Sequence, residues 1–509
     1  MHVPAEPRKH LRFVVLVGVA FTYCALVAAL SGPGFASFDT AYQWWMGRHA
    51  AVSTLWPPTY VVTFAWFDAL SPYLDAPTVW FCVNLTSISA ASMVIGYLRS
   101  RSVAGAVAIF LALAASPVSW LLLPHIWSDV ALVAVLLMSV ACLLTLSAQR
   151  TNKQARTVLR CVSLMGLFVA IGIRHNAMLA VLPLAGLWCH IALRSFWIAN
   201  TRPLRTNVAL IGGLLITFIF TVAHLGFSRA LATERSDTWA ITAIWDLQAL
   251  SVATGRVLIP PLISPNTDIA DLRASYDPSN AVALYSRSKA TWANSTTGLS
   301  GQQTTDLATA WLSAVQTAPA AYFSHRARVT ALILGIEQRD NSTRRVIVTG
   351  TRVEPGQTPF RDNPIRTFWW SSGADTWRRI AEHVTGSPWG SPQATLLVSL
   401  LAVLLSTGLR AFRRSRNQSI NALKPGKTNT NASTTSDLPL TDDSLAFAGA
   451  CLISGALYFT GVFVAAPSAD MRYSFWPVVA AVLTAVYICT TRPPSEDSES
   501  AADITNPAS

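Results

Sequence analysis

Charge is scarce in this chain. Asp, Glu, Lys and Arg make up 13% of its 509 residues while 52% are hydrophobic; soluble domains carry about 25% charge, so an ordinary water-soluble globule is excluded. Cysteine is sparse too, and Cys24, Cys82, Cys142, Cys161, Cys189, Cys451 and Cys489 all fall in apolar runs. The long polar stretch 229–393 has none, so it owes nothing to disulfides even if it faces an oxidising compartment. There is no CxxC or His-Cys cluster to suggest zinc, no Walker loop and no Gly-rich dinucleotide fingerprint. Those absences argue against nucleotide-driven chemistry.

What the chain has instead is apolar length. About ten runs approach the roughly 20 residues that a bilayer-spanning helix needs: 11–31, 78–98, 103–122, 126–148, 158–173, 176–193, 207–228, 394–411, 445–466 and 473–491. The expectation is an all-α polytopic membrane protein. The fifth and sixth runs are short and share the polar junction Arg174-His175-Asn176, as a broken pair dipping from one side would. Arg8, Lys9 and Arg12 precede the first run, but its apolar core is too long for a signal peptide and Ser31-Gly32-Pro33-Gly34 is a poor cleavage site. It reads as an anchor.

Lys and Arg set the orientation. With both termini in the cytoplasm, the short loops on that side hold Arg99 and Arg101, then Arg150, Lys153 and Arg156, then Arg194, Arg202 and Arg205, then Arg410, Arg413, Arg414 and Arg416. The opposite short loops keep Arg48, Arg174 and Arg472 and little else that is basic, as the positive-inside rule requires. The net charge of +12 therefore reports topology, not nucleic-acid binding, and the basic clusters beside helix ends also favour anionic membrane lipid.

On this topology residues 1–228 are an N-terminal membrane core with a first external loop at 32–77. Residues 229–393 lie outside, and 394–491 hold the last membrane helices. The outer segment is too long for a plain loop. Pro260-Pro261, Ser264-Pro265 and Asp277-Pro278 punctuate its first half. Residues 303–337 read as helix with Leu307, Trp311, Leu312, Val315 and Ala318 near one face, and Arg344 to Val353 alternates as a short strand. The segment is read as a small mixed extracytoplasmic domain over the outer mouth of the membrane part. The cytoplasmic loop 413–443 and the tail 492–509 have the composition of disordered segments.

The stretch from Gly32 to Tyr60 organises the candidate chemistry. It sets Asp39 just outside the membrane, beside Trp44-Trp45 and a Trp56-Pro57-Pro58 turn. From Thr40 to Arg48 the residues suit a helix, and Ala41, Trp44, Trp45 and Arg48 form an amphipathic strip for the membrane surface. The tryptophans suit the headgroup level, and the proline pair starts a new segment. Asp39 either caps this helix or acts as a base. Other polar residues converge on the same face: Asp129 where a loop enters the fourth run, then Arg174, His175 and Asn176, then Asp470, Arg472 and Tyr473. Taken singly, Asp129 caps, Arg174 snorkels and Arg472 pairs with Asp470 at the surface. Charges at membrane depth usually face a cavity or pair with one another, and four loops on one face supplying them point to a site.

These residues carry a resemblance. Asp39 in a first external loop with a surface helix, then WPPTY, WSD, IRHN and MRY at later outer junctions, resembles the integral-membrane glycosyltransferases of the GT-C class, specifically bacterial members with a D…W-x-P-P-x-Y first loop. The run IWDLQALSVATGRVLIPP, Ile244 to Pro261, is similar to a stretch after the last span of their membrane core. The likeness covers the layout of most of residues 11–393. One departure is that metal-dependent members carry Asp-x-Asp or paired acidic motifs, whereas Asp39 is followed by Thr-Ala and Asp129 by Val-Ala, which leaves a divalent metal open and no metal ligand assigned. The resemblance implies a bacterial cytoplasmic-membrane enzyme moving a sugar from a polyprenyl-phosphate donor to an extracytoplasmic glycan, lipid or protein. On that reading Asp39 is the general base, and Arg174, His175 and Arg472 neutralise the lipid phosphate. Asp129 joins them in binding substrate, and Tyr473, Asn176 and Trp56 shape the sugar pocket. A flippase or exporter of lipid-linked sugars, or a non-catalytic envelope assembly protein, is the competing class. A flippase would be expected to show internal repeats and mid-membrane charge, and neither is evident.

Overall fold

The computed structural model describes residues 5–71, 73–148, 152–192, 202–288, 298–337, 372–422 and 442–490. Among these there is no strand, only isolated bridges between loops. From the N-terminus come α1 (Ala5–Ser31), α2 (Phe38–His49), α3 (Pro58–Leu70), α4 (Ala76–Arg99), α5 (Val103–Ala114), α6 (Pro117–Leu122), α7 (Ser128–Ser147), α8 (Lys153–Ile173), α9 (Ala177–Ala192) and α10 (Arg202–Leu231). Then follow α11 (Thr238–Thr254), α12 (Ile269–Ser275), α13 (Val282–Arg287), α14 (Gly301–Thr317), α15 (Pro319–Leu334) and α16 (Ser372–Gly386). The chain ends with α17 (Pro392–Ala422), α18 (Asp442–Ala465), a 3-10 turn at Met471–Ser474 and α19 (Phe475–Thr490).

Among the described residues, eight helical segments are long and apolar enough to cross a membrane, within α1, α4, α7, α8, α10, α17, α18 and the stretch Met471–Thr490. The protein is an all-α polytopic membrane protein. Two of the ten apolar runs differ from a simple span. The run 103–122 breaks at Ser116-Pro117, where Ser116 is extended (ψ 153°) and its hydroxyl caps α6; a residue before proline avoids the helical region, and proline lacks the N–H that would continue the ladder. The run at 176–193 is the short apolar helix α9. Its partner, by contrast, starts at Lys153 with Asn152 as cap and is long enough to span.

In the bundle α7 packs against α4, α8 and α19, while α19 also packs against α17 and α18, and α9 joins α10 to α18. Helices in lipid gain little from hydrophobic burial against one another, so close crossings depend on small residues. A Cβ at Gly213 would lie 2.6 Å from the backbone nitrogen of Gly186, and one at Gly455 would lie 2.8 Å from the Cβ of Ala480. At the C-terminal end of α19, Arg99 donates to the Thr490 hydroxyl at 3.0 Å and the Tyr487 carbonyl at 3.2 Å, and Arg410 donates to the Ile488 carbonyl. Cations at a helix C-terminus satisfy carbonyls that have no partner in the helix. These arginines therefore gather at the end of α19 opposite Arg472.

The described part of the segment between α10 and α17 is helical. Its own core joins Ile244, Leu247 and Leu250 of α11 to Ile259, Ile263, Leu272, Leu284, Leu307 and Tyr322. The expected helix over 303–337 is two helices, because Pro319 begins α15. Leu307 is buried, with Trp311, Val315 and Ala318 partly buried, but Leu312 is exposed. Leu307 and Ala314 are two turns apart and mark the inward stripe, and Leu312 lies off it. The strand expected at Arg344 to Val353 lies outside the described residues, as does the tail 492–509. The loop 413–443 begins as helix, since α17 runs to Ala422 before the proline at 425. Extending an existing helix through residues such as Arg414, Arg416 and Gln418 costs little.

Candidate functional site

The loop between α1 and α2 is fastened to the loop before α7. The Phe35 N–H donates to the Pro124 carbonyl at 2.8 Å, the Ile126 N–H donates to the Phe35 carbonyl at 3.0 Å, and the Thr40 hydroxyl donates to the Ile126 carbonyl at 2.7 Å. Trp127 closes the join by donating its indole N–H to the Ser37 hydroxyl at 2.9 Å. Asp39, in the first turn of α2, is thereby brought to Asp129, in the first turn of α7.

The connector from α18 to α19 is fixed from the segment between α10 and α17. Thr242 donates to the Ala465 carbonyl at 3.1 Å, Arg326 to the Ala466 carbonyl at 2.8 Å and the Ala281 N–H to the Pro467 carbonyl at 3.0 Å, while the Ala469 N–H donates to the Ser279 carbonyl at 2.7 Å. This held segment leads directly into Asp470 and Arg472.

Arg472 is the centre of the arrangement. Its guanidinium lies 2.8 Å from Asp39 Oδ2, 3.0 Å from Asp470 Oδ2 and 3.8 Å from Asp129 Oδ2. Asp129 is held from the other side by Arg174 at 2.6 Å, and the same Arg174 nitrogen donates to the Ser128 hydroxyl at 3.0 Å. The Tyr473 ring sits beneath both guanidinium groups, 5.2 Å from Arg174 and 5.4 Å from Arg472, and Trp127 lies 5.2 Å from Arg472 on another face. Aromatic faces attract cations electrostatically, so the rings hold the arginines without competing for their donors. Burial opposes the charge on Arg174, but Asp129, Tyr458 and Tyr473 outweigh it and its pKa is raised. Burial also raises Asp470 above the ordinary carboxylate range, against the lowering pull of Arg472.

Access and charge set Asp39 apart. Its side chain is 33% exposed, against 11% for Asp470 and 2% for Asp129. These three carboxylates face two guanidinium groups, so the five charges sum to one excess negative charge. Of the three, Asp39 is the one that an incoming substrate could reach from solvent. Arg472 occupies the place where carboxylates would converge on an ion, and among the described residues no group of three His, Cys, Asp or Glu is placed to hold a metal.

The capping reading of Asp39 is replaced by a different residue. Ser37 caps α2, with its side chain taking the Thr40 N–H and Thr40 returning the bond. Asp129 is not the cap of α7 either, which has Trp127 there with no side-chain bond. Arg174 does not snorkel outward, and the Arg472–Asp470 pair is largely buried, not on the surface. The tryptophans diverge from the headgroup expectation. Trp44 is fully buried and donates to Asp68 at 2.7 Å. Trp45 and Trp56 pack partly buried with Tyr42, Met46, Val52 and Val61.

Of the residues named for the site, Asp39, Asp129, Arg174, Arg472 and Tyr473 come together. Asn176 adjoins them through its side-chain bond to Tyr458, whose hydroxyl lies 3.5 Å from Asp129. His175 is exposed on the turn and bonds the backbone of Thr54. Trp56 belongs to the separate apolar group. Tyr60, Trp127 and Ser128 stood in the WPPTY and WSD motifs without an assigned role, and Tyr458 was not singled out in the sequence. Tyr60 is buried near enough to Asp129 and Arg174 to feel both charges, and its hydroxyl has no hydrogen-bond partner among the described residues. Its position directly after Pro57-Pro58-Thr59 was the available signal; Tyr458, inside an apolar run, offered none.

No family model, curated protein or solved structure matches this chain. The chemistry of the site itself must carry the functional reading.

Proposed function

We propose that the protein is a membrane glycosyltransferase that moves a sugar from a polyprenyl-phosphate donor to an acceptor outside the cytoplasm, with Asp39 as general base. The observation that carries this reading is the ion cluster at the outer helix ends, in which Asp39 is the most solvent-accessible of three carboxylates gathered on Arg472. In the reaction, Asp39 takes the proton of the acceptor hydroxyl as its oxygen attacks the anomeric carbon. The bond from that carbon to the phosphate oxygen breaks, and its electron pair leaves with the lipid phosphate. Arg472 faces the growing phosphate charge, while Arg174 keeps Asp129 in place at 2.6 Å.

Orientation supports the same reading. The arginines clustered at the C-terminal end of α19 favour a cytoplasmic position for that end under the positive-inside rule, and with it an outer position for the Asp39 end. A bacterial cytoplasmic membrane, with glycan, lipid or protein as acceptor, is the setting this implies. Incubating the purified chain with a panel of polyprenyl-phosphate sugars and following transfer or hydrolysis tests it. Release of lipid phosphate from at least one donor is expected; inertness towards the whole panel, in protein that melts cooperatively, would sink the reading.

A further inference from the structure

Building on that proposed donor, we propose that its phosphate exchanges with Asp39 for Arg472, so that donor binding itself releases the base. Asp39 Oδ2 is 2.8 Å from an Arg472 nitrogen. A carboxylate engaged by a guanidinium is a poor base, because the pair stabilises its charged form and occupies the lone pairs that would take a proton. For Asp39 to act, the pair must open.

The geometry makes Asp39 the exchangeable partner. Asp470 is 3.0 Å from Arg472 and Asp129 3.8 Å, so both hold the guanidinium in its seat when Asp39 leaves. Asp129 is itself fixed by Arg174 at 2.6 Å, and Asp470 by its role as cap of the 3-10 turn, where it accepts the Arg472 N–H at 3.0 Å. Asp39 is bound to neither arginine but Arg472 among the described ion pairs, and it is one third exposed.

Charge counting favours the same swap. Without Asp39 the cluster has two carboxylates and two guanidinium groups, and a phosphodiester monoanion at Arg472 restores the single excess negative charge that the carboxylate had supplied. When the sugar–phosphate bond breaks, the leaving phosphate becomes a monoester with greater negative charge, and Asp39 has taken the acceptor's proton. Arg472 then holds the phosphate more strongly just as its competitor is neutralised. Departure of the proton lets the Asp39 pair re-form and favours release of the lipid phosphate.

Exchange requires both that removing the Asp39 charge strengthens phosphate binding and that bound phosphate uncovers Asp39. The full-length chain and its Asp39→Asn variant would be titrated with a short-chain polyprenyl monophosphate, with the corresponding polyprenol as control. Asp39→Asn is expected to bind the monophosphate at least about threefold more tightly, the size of a modest ion-pair competition, and the polyprenol equally. A second measurement on the unmodified protein, carbodiimide labelling of Asp39 read by mass spectrometry, should rise when the monophosphate is added. Equal or weaker binding by Asp39→Asn, or unchanged or reduced labelling of Asp39, overturns the exchange while leaving the donor class intact. No phosphate-dependent binding by either protein removes the donor class, and the exchange with it.

Discussion

Two carboxylate–guanidinium networks among the described residues differ in balance and access. In the segment between α10 and α17 Asp246 faces Arg326 at 2.7 Å, with both side chains fully buried. Trp311 donates to the other Asp246 oxygen at 2.9 Å, and His325 lies 3.4 Å from the carboxylate. Trp245 and Tyr322 wall the guanidinium. One carboxylate meets one guanidinium there, closed off from solvent. Burial, with the charges of Arg326 and Arg328 adding to it, pushes His325 down to about 3, so it is neutral at pH 7 and can meet the Tyr276 hydroxyl at 2.9 Å.

The network around Arg472 has three carboxylates for two guanidinium groups, and one of them reaches water. The same two functional groups thus serve two ends. A sealed, balanced pair fixes geometry, because breaking it strands a charge. An unbalanced, accessible one leaves a carboxylate within reach of solvent. They act in series, since Arg326 also holds the Ala466 carbonyl at the start of the segment that leads to Asp470 and Arg472.

The comparison breaks most sharply at Asp39. Asp39→Asn should lower sugar transfer by about 10²–10⁴-fold, as loss of a positioned base does. The melting temperature should stay nearly unchanged, because Ser37 and not Asp39 caps the helix and Arg472 keeps Asp470 at 3.0 Å. A fully active variant would end the catalytic assignment.

Arg326→Ala should instead cost about 3–5 kcal/mol of stability, because it leaves Asp246 buried and unpaired. Combining Asp246→Asn with Arg326→Met should recover much of that loss. Thermal unfolding distinguishes the outcomes, and a loss below about 1 kcal/mol for the single variant would mean that the pair is no strut.

His325 gives the pH signature of the sealed network. Its folded pKa of about 3 lies below the ordinary histidine value of 6.5. Below 6.5 the unfolded chain takes up a proton that the folded one refuses, so its contribution is fully present above that pH and is lost as pH falls from 6.5 towards about 3. Melting temperature measured across that window should fall less steeply for His325→Gln than for the unsubstituted protein; parallel curves would count against a neutral buried histidine. The smallest effect is expected at Leu312, which is exposed on α14. Leu312→Glu should change stability by no more than about 0.5 kcal/mol, whereas a large loss would mean that another surface covers it.

Much of the site was legible because its charges stand out against an apolar background. Asp39, Asp129, Arg174 and Arg472 adjoin runs in which charge is costly, and each had a paired reading available. What could not be read was which partner each one takes. Arg472 and Asp39 are 433 positions apart, and their contact depends on two fastenings, one between Phe35 and the Pro124–Ile126 loop and one between Ser279–Ala281 and the 467–469 segment. The burial of Trp44 was equally hidden, since an amphipathic strip looks the same whether it meets headgroups or the Asp68 carboxylate.

Apolar length, proline positions and scarce charge were enough to determine that this is a helical membrane protein with its polar residues drawn to one face, because a bilayer imposes those terms locally on every segment. The tertiary structure alone decided that Ser37 takes the cap and leaves Asp39 to Arg472, that Asp246 and Arg326 are sealed together, and that one carboxylate remains in excess around Arg472. Those are properties of distance and solvent access between remote residues, and pairing in three dimensions sets them where local preference does not.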